Sequence, residues 1–344
     1  MGGRLTMAKI KRLFNDPYDI VEEMVEGYVG AHKQYVKMCD LDEAQGRVVL
    51  ANDAGTKDKV GVIIGGGSGH EPLFIGYVGE DFADAVVIGN INTSPSPDPC
   101  YAAAKACDNG KGCIYLYGNY AGDVMNFDMG AEKADEEDDI RVETVLVTDD
   151  VVSSENIPDR RGIAGDFFVF KVAGAKAATG ADLDEVVAAA QKANDNTRSM
   201  GVAMSSATLP AKGGTIFDME DGDMEIGMGI HGEPGIRRGK IDTADNVIDE
   251  IMEPILKDLP YVEGDEVYVL VNSLGATPLI DLHVCYRREA QILEEKGIKV
   301  YKALVGPFAC SMDMAGMSVT LMKLDDELKE LMDAPCDTPY FTQK

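Results

Sequence analysis

Two stretches with similar surroundings carry the residues best suited to chemistry. In "GGGSGHEP", residues 65–72, His70 follows Gly67, Ser68 and Gly69, and in "MGIHGEPG", residues 228–235, His231 sits in a second glycine-rich run. The chain has only four histidines, so this near-repeat points to a shared task. An imidazole with little packing around it has an accessible ring. When neutral, one nitrogen can attack a carbonyl while a hydrogen bond at the other fixes the tautomer. A lone histidine more often serves as a structural hydrogen-bonder, the role assigned to His32 and His283, which lie within helical patterns. Asp123, in "GNYAGDVMNFD" (residues 118–128), stands just after an apolar run. It is either a helix N-cap or an acid/base partner for His70.

These residues need elements to hold them. "KVGVIIG" (59–65), "GCIYLYG" (112–118) and "RVETVLV" (141–147) read as buried parallel strands, and the segments 96–110 and 122–138 between them as crossover helices. The glycines after residue 64 then fall at the C-terminal end of a strand, where open α/β sheets bind ligands. There the bare backbone lets a small polar ligand reach N–H groups, more than a turn with positive φ requires. "INTSPSPDP" (91–99) is a third loop of this kind, supplying hydroxyls or capping the next helix. Residues 162–195 read as two helices broken at Gly180. Beyond them, strands are expected at 199–207, 224–230, 265–273, 298–306 and 317–324, and helices at 244–259 and 278–297. The fold class is therefore α/β: two domains, 1–195 and 196–344, each a mostly parallel or mixed sheet flanked by helices.

"GMGIHG", residues 227–232, matches the dinucleotide pattern G-x-G-x-x-G. Pro234 and Gly235 follow where a helix should open, so the match reads as a loop. No G-x-x-x-x-G-K-[ST] occurs either. A formal net charge of −28, from 60 acidic and 32 basic residues, repels nucleic acid and anionic lipid. The acidic run at 132–139 reads as a solvated helix face. Seven scattered cysteines without a C-x-x-C pair argue against a disulfide framework or zinc ribbon and fit a reducing cytoplasm. No apolar run is long enough to span a bilayer, and the first 14 residues lack a secretory h-region. Met7 is an equally good natural start.

"GGGSGHEP", "NYAGDVMNF", "DRRGIAG", "MGIHGEPG", "LVNSLGATPL" and "SMDMAGMSVTL" together resemble, in order and over nearly the whole chain, the dihydroxyacetone-binding K subunits of bacterial dihydroxyacetone kinases. The resemblance implies a short ketose held as a hemiaminal on His231. It implies hydrogen-bonding and acid/base roles for His70 and Asp123, and a substrate loop at Gly67, Ser68 and Gly69. It also implies a homodimer without a nucleotide or metal of its own. ADP or ATP with Mg would sit on a separate L subunit, recharged by a phosphoryl-carrier M subunit from phosphoenolpyruvate. The chain ends at Lys344, leaving no room for the fused nucleotide domain of some relatives. Which of His70 and Asp123 is the base stays open.

Covalent capture suits so small a ligand, because attack by imidazole selects carbonyl compounds over polyols and orients a terminal hydroxyl for in-line transfer. Two positions depart from the family. Gly118 stands where a substrate-contacting Lys is common, and Phe74 replaces a second histidine four residues after His70. Both changes remove polar groups near the substrate, which raises a related ketose such as erythrulose as an alternative. A non-catalytic ketose sensor partnering a transcription factor is the other; an intact "GD-x-x-NF" around Asp123 favours the enzyme.

Overall fold

The computed structural model describes residues 11–344; Met7 and the residues before it lie outside that range. Its α/β architecture is built on two six-stranded sheets. In the first half lie β1 (Val36–Met38), β2 (Val48–Ala51), β3 (Gly61–Ser68), β4 (Ala85–Ile91), β5 (Cys113–Gly118) and β6 (Val142–Val147). They are ordered β1-β2-β4-β3-β5-β6. The β4-β3-β5-β6 portion is parallel, and β1 and β2 extend it antiparallel. Helices α1 (Ile20–His32), α2 (Pro97–Cys107), α3 (Ala121–Asp138), α4 (Asp166–Ala178) and α5 (Leu183–Asp195) accompany it. Chain order reverses at β3, with β4 on one side and β5 on the other, which opens a crevice at the carboxyl ends of β3 and β5.

The second half contains β7 (Thr197–Ala203), a small ribbon of β8 (Thr208–Leu209) and β9 (Gly214–Thr215), then β10 (Asp223–Ile226), β11 (Arg237–Lys240), β12 (Glu266–Ser273), β13 (Lys299–Gly306) and β14 (Gly316–Leu324). The six-stranded order is β11-β10-β7-β14-β12-β13, in which only β12 and β13 run parallel. Helices α6 (Ala244–Asp258) and α7 (Leu279–Glu295) pack on it. A last helix, α8 (Asp326–Asp333), and the ribbon of β15 (Cys336–Asp337) and β16 (Thr342–Gln343) return to the first half's core.

Helix α4, "DFFVFKVAGAKAA", is apolar on nearly every side and accordingly buried on nearly every side. Of its two lysines, Lys171 is fully buried and donates to the carbonyls of Leu331 and Ala334 at 3.0 and 2.9 Å, tying α4 to the end of α8. Gly180, at φ +80°, ends the preceding helical stretch. Asp182 then opens α5 with a capping box to Glu185.

Three features differ from the sequence reading. The glycines 65–67 continue β3 instead of forming a loop beyond it. Their lack of Cβ is required by close approach: a Cβ on Gly65 would lie 2.6 Å from the Val87 carbonyl oxygen, and one on Gly67 2.7 Å from the Thr93 amide nitrogen. Strand β10 ends at Ile226, four residues early, because Gly227 turns the chain at φ +77°. The short strands β1, β2 and β11 and the longer β4 went unread, the short ones because three or four residues carry no periodicity.

The two halves are clamped by a charge cluster. Arg160, in the loop after β6, makes two hydrogen bonds to Asp258 at the end of α6, at 2.8 and 2.6 Å, and Arg198 of β7 pairs with the same carboxylate. Both guanidinium groups are about 95% buried, whereas Asp258 keeps some contact with water. Arg160, against a smaller burial penalty and with help from Arg198, holds the Asp258 carboxyl below the usual carboxylate range. Its stabilising contribution is thus present above the unfolded carboxylate pKa and is lost as pH falls through the depressed folded value. Asp258→Ala is expected to cost about 3 kcal/mol in denaturant unfolding, because two arginines are left without their counter-ion; a loss under about 1 kcal/mol, the range of an exposed pair, would show the clamp to be dispensable.

Candidate active site

The carboxyl ends of β3 and β5 and the loop after β10 meet at one small cleft, with Gly65, Gly66, Gly67, His70, Asp123 and His231 among its lining residues. Gly118 lines it as well, but Ser68 and Gly69 do not. The Ser68 hydroxyl is buried and donates to the Gly89 carbonyl at 2.8 Å, and Gly69 adopts φ +103°, which a side chain would strain. Ser68 and Gly69 therefore shape the loop from behind the cleft wall.

His70 is 2% exposed, and its Nδ1 lies 2.8 Å from the carbonyl oxygen of Cys310, in the loop between β13 and β14. A carbonyl only accepts, so Nδ1 carries the proton and Nε2 presents a lone pair. That Nε2 is buried and has no hydrogen-bond partner among the described residues. Burial, reinforced by His231, pushes the His70 pKa down to about 3 against the opposing Cys310 carbonyl and Glu233 carboxylate. His70 is thus a neutral acceptor throughout the physiological range.

The His231 ring is 4.7 Å from that of His70, centroid to centroid, and nearly perpendicular to it. Tyr120 flanks His231 on another side, 4.5 Å away and at 89°, with its hydroxyl on the Gly162 carbonyl. Glu233 folds back under His231, accepting from its backbone N–H at 3.0 Å and lying 3.2 Å from Nδ1. Burial raises the Glu233 carboxyl, but the hydrogen bond and charge of His231, helped by Arg161 at 3.9 Å, overcome this and hold it at about 2. An ionised carboxylate on Nδ1 fixes the tautomer that leaves Nε2 bare. Gly229 makes room for this, since a Cβ there would lie 2.2 Å from a Glu233 oxygen. "GMGIHG" is consequently a loop that folds a carboxylate against a histidine, and no helix opens after it.

Asp123 lies in the first turn of α3, whose N-cap position is Tyr120, so it does not cap the helix. It is 9% exposed, and its Oδ1 has no partner among the described residues. Burial raises its pKa to about 6, opposed by Ser94 and His231. Ser94 belongs to the 91–99 loop, whose hydroxyl thereby reaches the site's edge.

At the departures from the family pattern, the structure places an aromatic ring and a pair of facing glycines. Phe74 adopts φ +67°, and its ring covers Gly66, where a Cβ would lie 2.7 Å away. A Cβ on Gly118 would lie 3.1 Å from the Tyr120 ring and 3.2 Å from the Gly162 carbonyl oxygen, so Tyr120 takes up much of the space a longer side chain would need. Sequence reasoning passed over Asp166 and Tyr120, which line this cleft, and Glu233, which supports His231. For Glu233 a signal existed, since the "HGEP" spacing sets a carboxylate two residues after the histidine. For Asp166, at the head of an apolar helix, none did.

The Dak1 domain pattern matches residues 26–340. The chain belongs to the Dak1 family. Over 332 residues it is 60% identical to the "PTS-dependent dihydroxyacetone kinase 2, dihydroxyacetone-binding subunit DhaK" of Listeria innocua, covering 96% of this chain and 99% of that one. It is 43% identical to the "L-erythrulose 1-kinase" of Mycolicibacterium smegmatis over 96% of this chain, which spans 57% of that longer protein. Among solved structures, the dihydroxyacetone kinase of C. freundii with AMP-PNP and Mg2+ superposes with a TM-score of 0.87 at 31% identity, covering 97% of this chain and 61% of that one. No helix among the described residues is long and apolar enough to cross a membrane.

The histidine assignments can be read directly. Nitrogen-resolved NMR of the ligand-free protein is expected to show His70 neutral and protonated on Nδ1 from pH 7 down to about pH 4, its pKa of about 3 lying below that window; a His70 titration near 6.5, the unperturbed value, would refute the assignment.

Proposed function

We propose that this chain is the ketose-binding subunit of a dihydroxyacetone kinase and that it holds its substrate covalently through His231. The observation that carries the reading is the concentration of unsatisfied groups. His70 Nε2, Asp123 Oδ1 and Asp166 Oδ1 are all buried without partners among the described residues, and all three residues line the one cleft with His231. Buried polar atoms are rarely left unpaired, and a polyhydroxylated ligand would satisfy them. In the covalent step the His231 Nε2 lone pair forms a C–N bond to the ketose C2, the C=O π bond breaks, and the oxygen takes up a proton. With loss of the Nδ1 proton, the net result is addition of the imidazole N–H across the carbonyl. Glu233 stabilises the positive charge that develops on the ring.

Asp123 is the base for the terminal hydroxyl, because a pKa of about 6 lies near working pH. His70, at about 3, accepts a hydrogen bond instead. The nucleotide, ADP or ATP with Mg, is carried by a partner L subunit. The "PTS-dependent" name of the 60% identical relative supports phosphoenolpyruvate, through an M subunit, as the phosphate source. Homodimerisation and a cytoplasmic location rest on the family resemblance. Erythrulose is the second substrate to test, supported by Gly118, Phe74 and the 43% identical erythrulose kinase.

Intact-mass measurement after incubation with dihydroxyacetone or erythrulose and borohydride-free quenching should show an adduct in the wild type and none in His231→Ala; an adduct that survives the substitution would overturn the covalent assignment. With the partner subunits present, Asp123→Asn should lower kcat by about a hundredfold or more. In the wild type, kcat/KM should rise with pH through about 6 as Asp123 loses its proton. An acid limb nearer 3 would transfer the role of base to His70, and binding without any turnover would identify a sensor.

A further inference from the structure

Asp166 has no evident structural duty. It is the first residue of α4 and 2% exposed, and a carboxylate there would ordinarily accept the free N–H groups at the start of the helix. Backbone carbonyls take those groups instead, the N–H groups of Asp166 and Phe167 donating to Ile163 and Ala164 and those of Phe168 and Val169 to Gly165, while Asp149 accepts from the N–H groups of Ile163 and Gly165 just ahead of the helix, both at 2.8 Å. Asp166 Oδ1 is left buried with no hydrogen-bond partner among the described residues, and the residue lines the same cleft as His70, Asp123 and His231. Two glycines keep the carboxyl uncovered. A Cβ on Gly162 would lie 3.1 Å from Asp166 Oδ1 and 2.5 Å from the Cα of Gly118, so neither position screens it from the cleft. Burial, with Asp149 and Asp123 nearby, pushes the Asp166 carboxyl well above its ordinary range, which favours the protonated form, able both to donate and to accept.

We propose that Asp166 is a substrate-specificity residue whose carboxyl binds a hydroxyl of the ketose on the side of the carbonyl away from the reacting end. The inference rests on the ketose-binding reading of the cleft and deepens it. His231 engages the carbonyl carbon, and Asp123 and His70 engage the hydroxyl to be phosphorylated. That leaves one further hydroxyl in dihydroxyacetone and two in erythrulose, and Asp166 is the remaining unpaired group to meet them. A buried site made to hydrogen-bond a hydroxyl discriminates strongly against an analogue that lacks it. Hydroxyacetone, which carries a methyl group on that side, is the analogue that isolates the contact.

The test is calorimetric titration of the full chain with dihydroxyacetone, erythrulose and hydroxyacetone, for wild type, Asp166→Ala and Asp166→Asn, with thermal melts to verify folding. The readout is the ratio of the hydroxyacetone to the dihydroxyacetone dissociation constant, in which differences in general site integrity cancel. This ratio is expected to fall by about tenfold or more in Asp166→Ala and to stay within a few fold of wild type in Asp166→Asn, which keeps the shape and a hydrogen-bonding group. An unchanged ratio in a folded Asp166→Ala, or equal weakening of all three ligands, overturns the role of Asp166 while leaving the ketose-binding reading in place. Absence of binding of both dihydroxyacetone and erythrulose to the wild type overturns the ketose-binding reading, and the role of Asp166 with it.

Discussion

The hydrogen bond from His70 Nδ1 to the Cys310 carbonyl links residues 240 positions apart and fixes the chemistry of the whole cleft. It sets the tautomer, so the other nitrogen enters the cleft as an acceptor. It also joins the two halves of the fold where the reaction would occur, because His70 follows β3 and Cys310 precedes β14. The contact is doubled by backbone pairing: Cys310 N–H donates to the His70 carbonyl at 3.1 Å, and Met312 N–H to the Gly69 carbonyl at 2.7 Å. Behind it, Asn272 at the end of β12 is fully buried. Its side-chain NH2 donates to the Ala309 carbonyl, while its oxygen accepts from the N–H groups of Phe308 and Ala309. The second sheet thus grips the loop that grips the histidine. This is the supporting layer that a site needs to hold its groups within a fraction of an ångström.

Around that fixed point, the cleft is electrostatically divided. On one side Glu233, paired with His231 and near Arg161, stays ionised and can stabilise positive charge on the His231 ring. On the other, Asp123 and Asp166 are forced upward by burial. Carboxyl groups in and beside one small cleft therefore differ in how readily they hold a proton because their surroundings differ, the general means by which one site provides both acid and base. The same burial leaves His70 neutral. These groups are expensive to bury unsatisfied, and the fold accommodates that cost through its extensive cores and the Arg160–Asp258–Arg198 clamp between the halves.

Legibility followed the range of the interaction involved. The parallel strands 113–118 and 142–147, the crossover helices and the break at Gly180 were readable because apolar runs and punctuating residues are local signals. The glycine run after residue 64 was readable as unusual, but its cause was not. Only the folded chain reveals that Val87, Thr93 and Phe74 crowd those backbones. Asp123 looked like a helix cap because a cap and a first-turn position lie within a few residues of each other, and α3 starts early enough to make Tyr120 the N-cap position, three residues before Asp123.

The sequence by itself determined the α/β class, the family, and the identity of the histidines and of Asp123 as candidates. Residue type, spacing and a run of motifs are properties of the chain order. Tertiary structure alone decided that His70 and His231 stand ring to ring, that Cys310 and Glu233 fix which nitrogens face the cleft, and that Asp166 joins them there. Those outcomes depend on which distant backbone atoms are brought within hydrogen-bonding distance and on which charges lose their water. Neither burial nor proximity is encoded at any single position; both arise only when the two sheets pack.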